Sequence, residues 1–137
     1  MAVELAKQGL DLGIVTRGHG AMLEFYLDIL GLPVSRVAEG RIGEIHYLAV
    51  GSSVLKLIRP AAVPDVVGPS GTLTEATGLR SFTLRIANLD DVLSDCERMG
   101  IRVVVPKESL PGCRESVATV ADPDGNLIEL HESHEDG

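Results

Sequence analysis

The sequence predicts an α+β fold in which two tandem βαβββ modules form a curved mixed sheet around a cleft, with the helices on the outer face. Two observations carry this prediction. Each half of the chain contains an apolar helical stripe that ends at a glycine, and each half closes with an alternating strand, Leu55-Lys56-Leu57 and Ile128-Glu129-Leu130. An internal repeat of this kind indicates that one supersecondary unit is used twice.

The first module is predicted at about residues 10–60. It opens with an apolar strand, Leu10–Thr16, and continues with a helical segment, Ala21–Leu30. Leu23, Tyr26, Leu27 and Leu30 give this segment one apolar stripe at helical spacing, and Gly31 supplies a left-handed stop. The three strands that follow are predicted at Val34–Ala38, Ile45–Val50 and Val54–Arg59.

The second module, at about residues 80–132, repeats this order. Its first strand is Ser81–Ile86, and Leu89, Val92, Leu93 and Cys96 form the helical stripe that ends before Gly100. Asn88 is predicted to cap the helix, with Asp91 completing a capping-box-like pair. The remaining strands are predicted at Arg102–Val105, Ser116–Ala121 and Leu127–His131.

Three segments are predicted to connect modules or strands. Residues 61–79 are rich in Pro, Gly, Ser and Thr and are predicted to link the modules. Pro106–Glu115 is predicted as a long loop that covers the cleft. Asp122–Asn126 is a tight turn into the last strand.

The composition restricts the partners. The chain has 137 residues, 45% hydrophobic and 23% charged, which suits a single domain spanning residues 1–137 with its own core. Its formal charge of -8 argues against a nucleic acid or an anionic membrane as partner. Cys96 and Cys113 have neither the spacing of a redox motif nor that of a zinc finger. No run of apolar residues is long enough to span a membrane. A cytoplasmic protein is expected.

Strand alternation predicts which side chains line the cleft. Leu12 and Ile14 should pack beneath the helix, which turns Asp11 and Gly13 toward the cavity. The same rule turns Lys56, Glu129 and His131 inward. Ser81, Thr83 and Arg85 of the second module are expected to oppose Asp11 and Gly13 across the cavity, whereas the aromatic pair Phe25 and Tyr26 is expected in the core.

Two motifs resemble those of the vicinal oxygen chelate superfamily, which includes glyoxalases, bleomycin-resistance proteins and extradiol dioxygenases. They are Phe25-Tyr26-Leu27-Asp28-Ile29-Leu30-Gly31-Leu32 and Asp122-Pro123-Asp124-Gly125-Asn126-Leu127-Ile128-Glu129-Leu130, and the resemblance extends from Leu10 to Glu132. It implies paired modules and, in many members, a divalent metal held by one residue from the first and last strand of each module. The matching positions here are Asp11, Lys56, Ser81 and Glu129.

Of these four, only Glu129 is a usual ligand, because a protonated lysine has no lone pair and repels a cation. A cleft without a metal or other cofactor is therefore favoured. The alternative is a divalent metal (Fe, Mn, Ni or Zn) held by Glu129 with Asp11 or His46. His46 and His131 are expected to face the cleft, whereas His19 in its glycine-flanked loop and His134 in the acidic tail are not expected to contribute.

The favoured function is binding of a small organic molecule, of the sequestration or resistance type. Asp11 and Lys56 are expected to form an ion pair, with Lys56 holding a carboxylate or carbonyl and Asp11 or Glu129 accepting a proton. Ser81, Arg85, Tyr47, His46 and His131 are the expected ligand-binding residues. The alternatives are an enzyme, in which case a lyase or isomerase is favoured over a dioxygenase, and a purely structural interaction module. The resemblance also implies a homodimer.

Overall fold

The structure is a computed structural model that describes residues 2–68, 71–112 and 114–134. The chain divides into two compact units, Met1–Val67 and Gly68–Gly137, and the boundary falls inside the predicted linker. Each unit holds one four-stranded sheet and one helical region. The predicted α+β class and the two βαβββ modules are confirmed. No described helix is long and apolar enough to cross a membrane.

The first module has strand order β1-β4-β3-β2. Strands β1 and β4 pair in parallel, and the other neighbours are antiparallel. The elements are β1 (Asp11–Val15), α1 (His19–Leu23), a π-helical segment (Glu24–Ile29), β2 (Val34–Glu39), β3 (Gly43–Val50) and β4 (Ser53–Pro60).

The second module repeats the arrangement, with strand order β5-β8-β7-β6 and a parallel pair between β5 and β8. Its elements are β5 (Ser81–Arg85), α2 (Leu89–Arg98), β6 (Val103–Ser109), β7 (Glu115–Ala121) and β8 (Leu127–Ser133). The same pairing scheme in both halves explains the repeat in the sequence.

The first helical region is not the regular α-helix that its spacing predicts. It begins at His19 and changes to π-helix after Leu23, so that Leu30 N–H donates to Phe25 O, five residues back. This wider turn shifts the buried face. The fully buried side chains are Met22, Phe25 and Tyr26, whereas three members of the predicted stripe are only half-buried. The aromatic pair does lie in the core.

Helix α2 begins at the predicted position but is capped differently. Asn88 is the N-cap residue and makes no side-chain capping bond. Instead the Glu132 carboxylate of β8 accepts a hydrogen bond of 2.6 Å from Leu89 N–H. The predicted glycine stops are confirmed: Gly31 and Gly100 have φ of 70° and 72°, a region that disfavours other residues.

Half of the predicted loop Pro106–Glu115 is strand. Strand β6 runs to Ser109, and the register shifts between Val105 and Glu108, where Val105 pairs with Thr119 and Glu108 with Val117. A bulge accommodates Pro106, which has no N–H to donate to the ladder. The covering loop was therefore a wrong prediction, since only the residues between Ser109 and Glu115 connect β6 to β7.

Candidate functional site

The first sheet has one face covered by the helical region, and its other face carries a few polar side chains among apolar ones. In the register of the strands, Gly13 lies opposite Lys56, Lys56 opposite Tyr47, and Tyr47 opposite Arg36. These four side-chain positions therefore form one row across the sheet. Leu55 and Leu57, on either side of Lys56, are buried on the other face. We call the surface around this row the Lys56 face, and its orientation confirms that Lys56 points away from the helix.

The predicted ion pair between Asp11 and Lys56 does not form. Asp11 lies opposite Val54, on the same face as Lys56 but one pleat repeat away, and its carboxylate pairs with Lys7 at 2.5 Å. Lys56 is half-buried as a residue, and among the described residues no carboxylate lies within ion-pairing distance of its ammonium. The guanidinium of Arg36 lies 4.3 Å from the centre of the Tyr47 ring. In this row the Tyr47 ring therefore lies between two cationic side chains, Arg36 and Lys56.

The second sheet carries the corresponding polar face, which we call the Glu129 face. Thr83 lies opposite Glu129, Arg85 opposite His131, and Ser81 opposite Leu127. Phe82, Leu84, Ile128 and Leu130 alternate with these residues, and the latter two are fully buried on the helix side. Ser81, Arg85, Glu129 and His131 therefore share the surface on which the alternation predicts them.

A chain of polar contacts crosses the Glu129 face. Thr83 Oγ1 donates to Glu129 Oε2 at 3.2 Å, and that oxygen lies 3.5 Å from His131 Nε2. On the other side of the ring, Nδ1 lies 3.6 Å from Glu115 Oε2, and this buried nitrogen has no hydrogen-bond partner in the part of the chain that the structure describes. Glu115 also accepts a 2.5 Å hydrogen bond from Arg85. One imidazole is thus held between two carboxylates.

Glu115 was not predicted, because thirty residues separate it from Arg85 and no local pattern links them. The hydrogen bond from Arg85 lowers the pKa of the Glu115 carboxyl, desolvation opposes this in part, and His131 lowers it further. A lowered pKa in the folded state means that the pair stabilises the fold above about pH 4.5, the ordinary value, and that this stabilisation is lost as the pH falls through the folded pKa.

We expect Arg85→Gln to raise the pKa of Glu115 toward its ordinary value, because the charge-assisted hydrogen bond is lost. The measurement is an NMR titration of the side-chain carboxyl carbons. Arg102→Gln, which removes another exposed arginine of the same module, serves as the control. An unchanged Glu115 titration in Arg85→Gln would contradict the pairing.

His46 does not face the polar surface. It lies opposite Leu57, on the helix side of the sheet, so the prediction that it faces the cleft was wrong. There it meets His19, the first residue of α1, with His19 Nε2 3.3 Å from His46 Nδ1. Glu44, two residues before His46 on the same strand face, brings Oε1 to 3.4 Å from His19 Nε2 and 3.7 Å from His46 Nδ1.

This His19, Glu44 and His46 cluster is half-buried, with side-chain exposures of 15%, 22% and 14%. Burial lowers the pKa of His19, the neighbouring His46 lowers it further, and Glu44 partly opposes both. The sequence offered one unused signal, the alternation Glu44-Ile45-His46, which puts both polar side chains on one strand face. The approach of His19 depends on the turn between β1 and α1, where Gly18 N–H donates to Thr16 Oγ1 at 2.9 Å.

The two βαβββ modules agree with a comparison of the sequence with protein families. The family model of the Glyoxalase/Bleomycin resistance protein/Dioxygenase superfamily matches residues 10–130. The chain belongs to this superfamily, which confirms the resemblance that the two motifs suggested.

The individual relatives that follow share no more than 25% sequence identity with this chain. The chain is 25% identical over 126 residues to the uncharacterized protein YraH of Bacillus subtilis, covering 89% of this chain and 95% of the relative. A glyoxalase family protein from Bacillus cereus has a similar structure, with a TM-score of 0.79 at 18% identity and coverage of 96% of each chain. The antibiotic binding protein TnmS3 from Streptomyces superposes with a TM-score of 0.67 at 19% identity, covering 97% of this chain and 98% of the other.

The residues at the superfamily's metal positions fit a metal poorly. In the first module, Asp11 is paired with Lys7 and Lys56 presents an ammonium group. In the second module, Ser81 offers a neutral hydroxyl, and Glu129 is the one usual ligand, already engaged by Thr83. Divalent transition metals in proteins prefer imidazole, thiolate and free carboxylate donors.

Proposed function

We propose that this protein binds a small organic carboxylate on the Lys56 face, with no metal at the superfamily's usual positions. The observation that carries the proposal is the row of Arg36, Tyr47, Lys56 and Gly13 across the first sheet. Two cations flank an aromatic ring in this row, so their charges would attract an anion and the ring would offer it an apolar contact.

Lys56 is the anchor of the proposed site. Lys56 is a half-buried residue whose ammonium has no counter-ion among the described residues, so a carboxylate from a ligand would supply one. Its stem passes beside Gly13, where an added Cβ would lie 3.9 Å from Lys56 Cε. The missing side chain at Gly13 therefore leaves the stem open to a ligand.

The family context supports a binding function. Bleomycin resistance is part of the superfamily's description, and TnmS3, which shares the fold, is described as an antibiotic binding protein. A cytoplasmic location and a homodimer, both expected from the sequence, belong to the same proposal.

The test compares benzoate with benzamide, which has the same ring but no charge. We expect benzoate to bind more tightly, and Lys56→Gln to weaken benzoate binding by about tenfold while leaving benzamide unchanged, because a charge-assisted hydrogen bond contributes at least about 1.4 kcal/mol. NMR titration of the first module's backbone amides measures both affinities and shows where the probe binds.

Arg41→Gln is the matched control, because it removes an exposed cation from the first module outside the row. It should leave both affinities unchanged. Equal binding of benzoate and benzamide, or benzoate affinity unaffected by Lys56→Gln, would refute the carboxylate site.

A second candidate is acid-base catalysis on the Glu129 face, as in a metal-free lyase or isomerase. It is favoured by one observation, the imidazole of His131 between Glu115 and Glu129, whose Nδ1 has no hydrogen-bond partner among the described residues. A histidine between two carboxylates can take up a proton and have the resulting charge stabilised. If the protein converts a substrate, loss of that conversion in His131→Gln but not in Lys56→Gln would favour catalysis over simple binding.

A further inference from the structure

We propose that His19, Glu44 and His46 form a binding site for a four-coordinate divalent metal, Zn²⁺ or Co²⁺, on the helix side of the first sheet. The site uses none of the four positions that the superfamily resemblance implies, and it is independent of the carboxylate site on the Lys56 face. All three donors belong to the first module.

The distances between the donor atoms fit a shared metal better than direct hydrogen bonds. The three separations are 3.3 Å between His19 Nε2 and His46 Nδ1, 3.4 Å from His19 Nε2 to Glu44 Oε1, and 3.7 Å from His46 Nδ1 to Glu44 Oε1. Hydrogen bonds to nitrogen or oxygen are normally about 2.7–3.2 Å long. The carboxylate therefore approaches both rings without bonding closely to either.

The same distances indicate the coordination geometry. Donors about 2.0–2.2 Å from a metal lie about 3.3–3.6 Å apart at tetrahedral angles, but only about 3.0 Å apart at the right angles of an octahedral site. Two of the observed separations, 3.3 and 3.4 Å, fall in the tetrahedral range, and the third, 3.7 Å, lies closer to that range than to the octahedral value. Two imidazoles and one carboxylate also form a donor set that zinc commonly takes, with a fourth position left for water or another ligand.

The fold holds the three donors on two separate supports, strand β3 and the start of α1. Glu44 and His46 occupy alternate positions of β3, which pairs with β4 along its whole length. His19 is fixed by the start of α1, where Met22 N–H donates to Gly18 O at 2.9 Å. Donors carried on a strand and a helix end lose little freedom when a metal binds, so the site is largely preformed.

The surrounding charges are mixed. Arg59 Nη2 lies 3.9 Å from Glu44 Oε2, the carboxylate oxygen that faces away from the cluster. This guanidinium can orient Glu44 so that Oε1 points to the histidines, although its charge weakens the attraction for a cation. Glu44 also borders a pocket of about 530 Å³ lined by Thr16, Arg17, Glu39, Arg59 and Pro60 among others. A ligand in that pocket would lie beside the metal's third donor.

The test titrates the chelator-treated full-length protein with Zn²⁺ by calorimetry and with Co²⁺ by visible absorption. We expect about one equivalent of either metal, and Co²⁺ should give the intense bands of a four-coordinate ion. His19→Ala and Glu44→Gln should each weaken zinc binding by about a hundredfold or more, because each removes one of three protein donors. Circular dichroism checks that the variants remain folded.

His134→Ala is the matched control, since His134 is a histidine of the second module. It should bind zinc like the unmodified protein, as should Glu129→Gln. The proposed site would be overturned if the unmodified protein bound no zinc. It would also be overturned if the single variants His19→Ala and Glu44→Gln each bound zinc as tightly as the unmodified protein.

The outcomes also separate this site from the proposed function. Loss of zinc in Glu129→Gln together with its retention in His19→Ala would overturn the site and also the proposal that the superfamily's positions hold no metal. A complete lack of zinc binding would overturn the site alone, because benzoate binding to Lys56 does not involve these residues.

Discussion

Phe25→Ala is expected to lower the free energy of unfolding of the first module by about 3–5 kcal/mol, the usual cost of truncating a buried aromatic side chain. Phe25 is 1% exposed, and its ring packs edge-on against Tyr26, with centroids 4.8 Å apart and an interplanar angle of 83°. The substitution removes this contact and leaves a cavity beneath the π-helical segment. Urea unfolding, followed by NMR signals of first-module residues, measures the change.

Val66→Ala is the control for this experiment. Val66 is 85% exposed, so its truncation should change stability by no more than about 0.5 kcal/mol. If Phe25→Ala proved as mild as Val66→Ala, the buried face described for the π-helical segment would be wrong.

Asp122→Ala should destabilise the second module by about 3 kcal/mol, because a buried carboxylate that accepts several hydrogen bonds is removed. Asp122 is 4% exposed. Its carboxylate accepts bonds from the backbone N–H of Asp124 and Asn126, both at 2.9 Å, and from Asn126 Nδ2 at 2.8 Å. Thermal unfolding measures the loss, and NMR shows whether the signals of Glu129, on the strand that follows the turn, also shift.

Asp122→Asn provides a graded comparison. It keeps one side-chain oxygen for the backbone donors but loses the second acceptor, so the cost should be smaller, about 1 kcal/mol. Asp65→Ala, which removes an exposed carboxylate, should have almost no effect. Equal destabilisation by Asp122→Ala and Asp65→Ala would contradict the role of the turn.

The predicted fold succeeds where the signal is local. The motif from Asp122 to Asn126 predicts a turn, and the carboxylate of Asp122 closes that turn within five residues of chain. Gly31 and Gly100 end the helical regions because only glycine readily adopts their φ angles. Pro106 misled the prediction, since a proline normally interrupts a ladder and the bulge that absorbs it depends on the partner strand β7.

The predictions for the site residues also succeeded where the signal was local. Alternation correctly put Lys56 on the face opposite Leu55 and Leu57, and Glu129 on the face opposite Ile128 and Leu130. It failed for His46, because the predicted orientation used no partner strand, whereas the register shows His46 opposite the buried Leu57.

The sequence by itself determined the two modules, the order of their strands and helices along the chain, and the sheet faces on which Lys56 and Glu129 lie, because these depend on periodicity over a few residues. Only the tertiary structure decided the partners: Lys7 for Asp11, Glu115 for Arg85, and His19 for His46. Apart from the contact within four residues of Lys7, these pairs join segments 27 to 30 residues apart. Strand order and register bring such residues together, and both are set by packing of the whole module rather than by any local pattern.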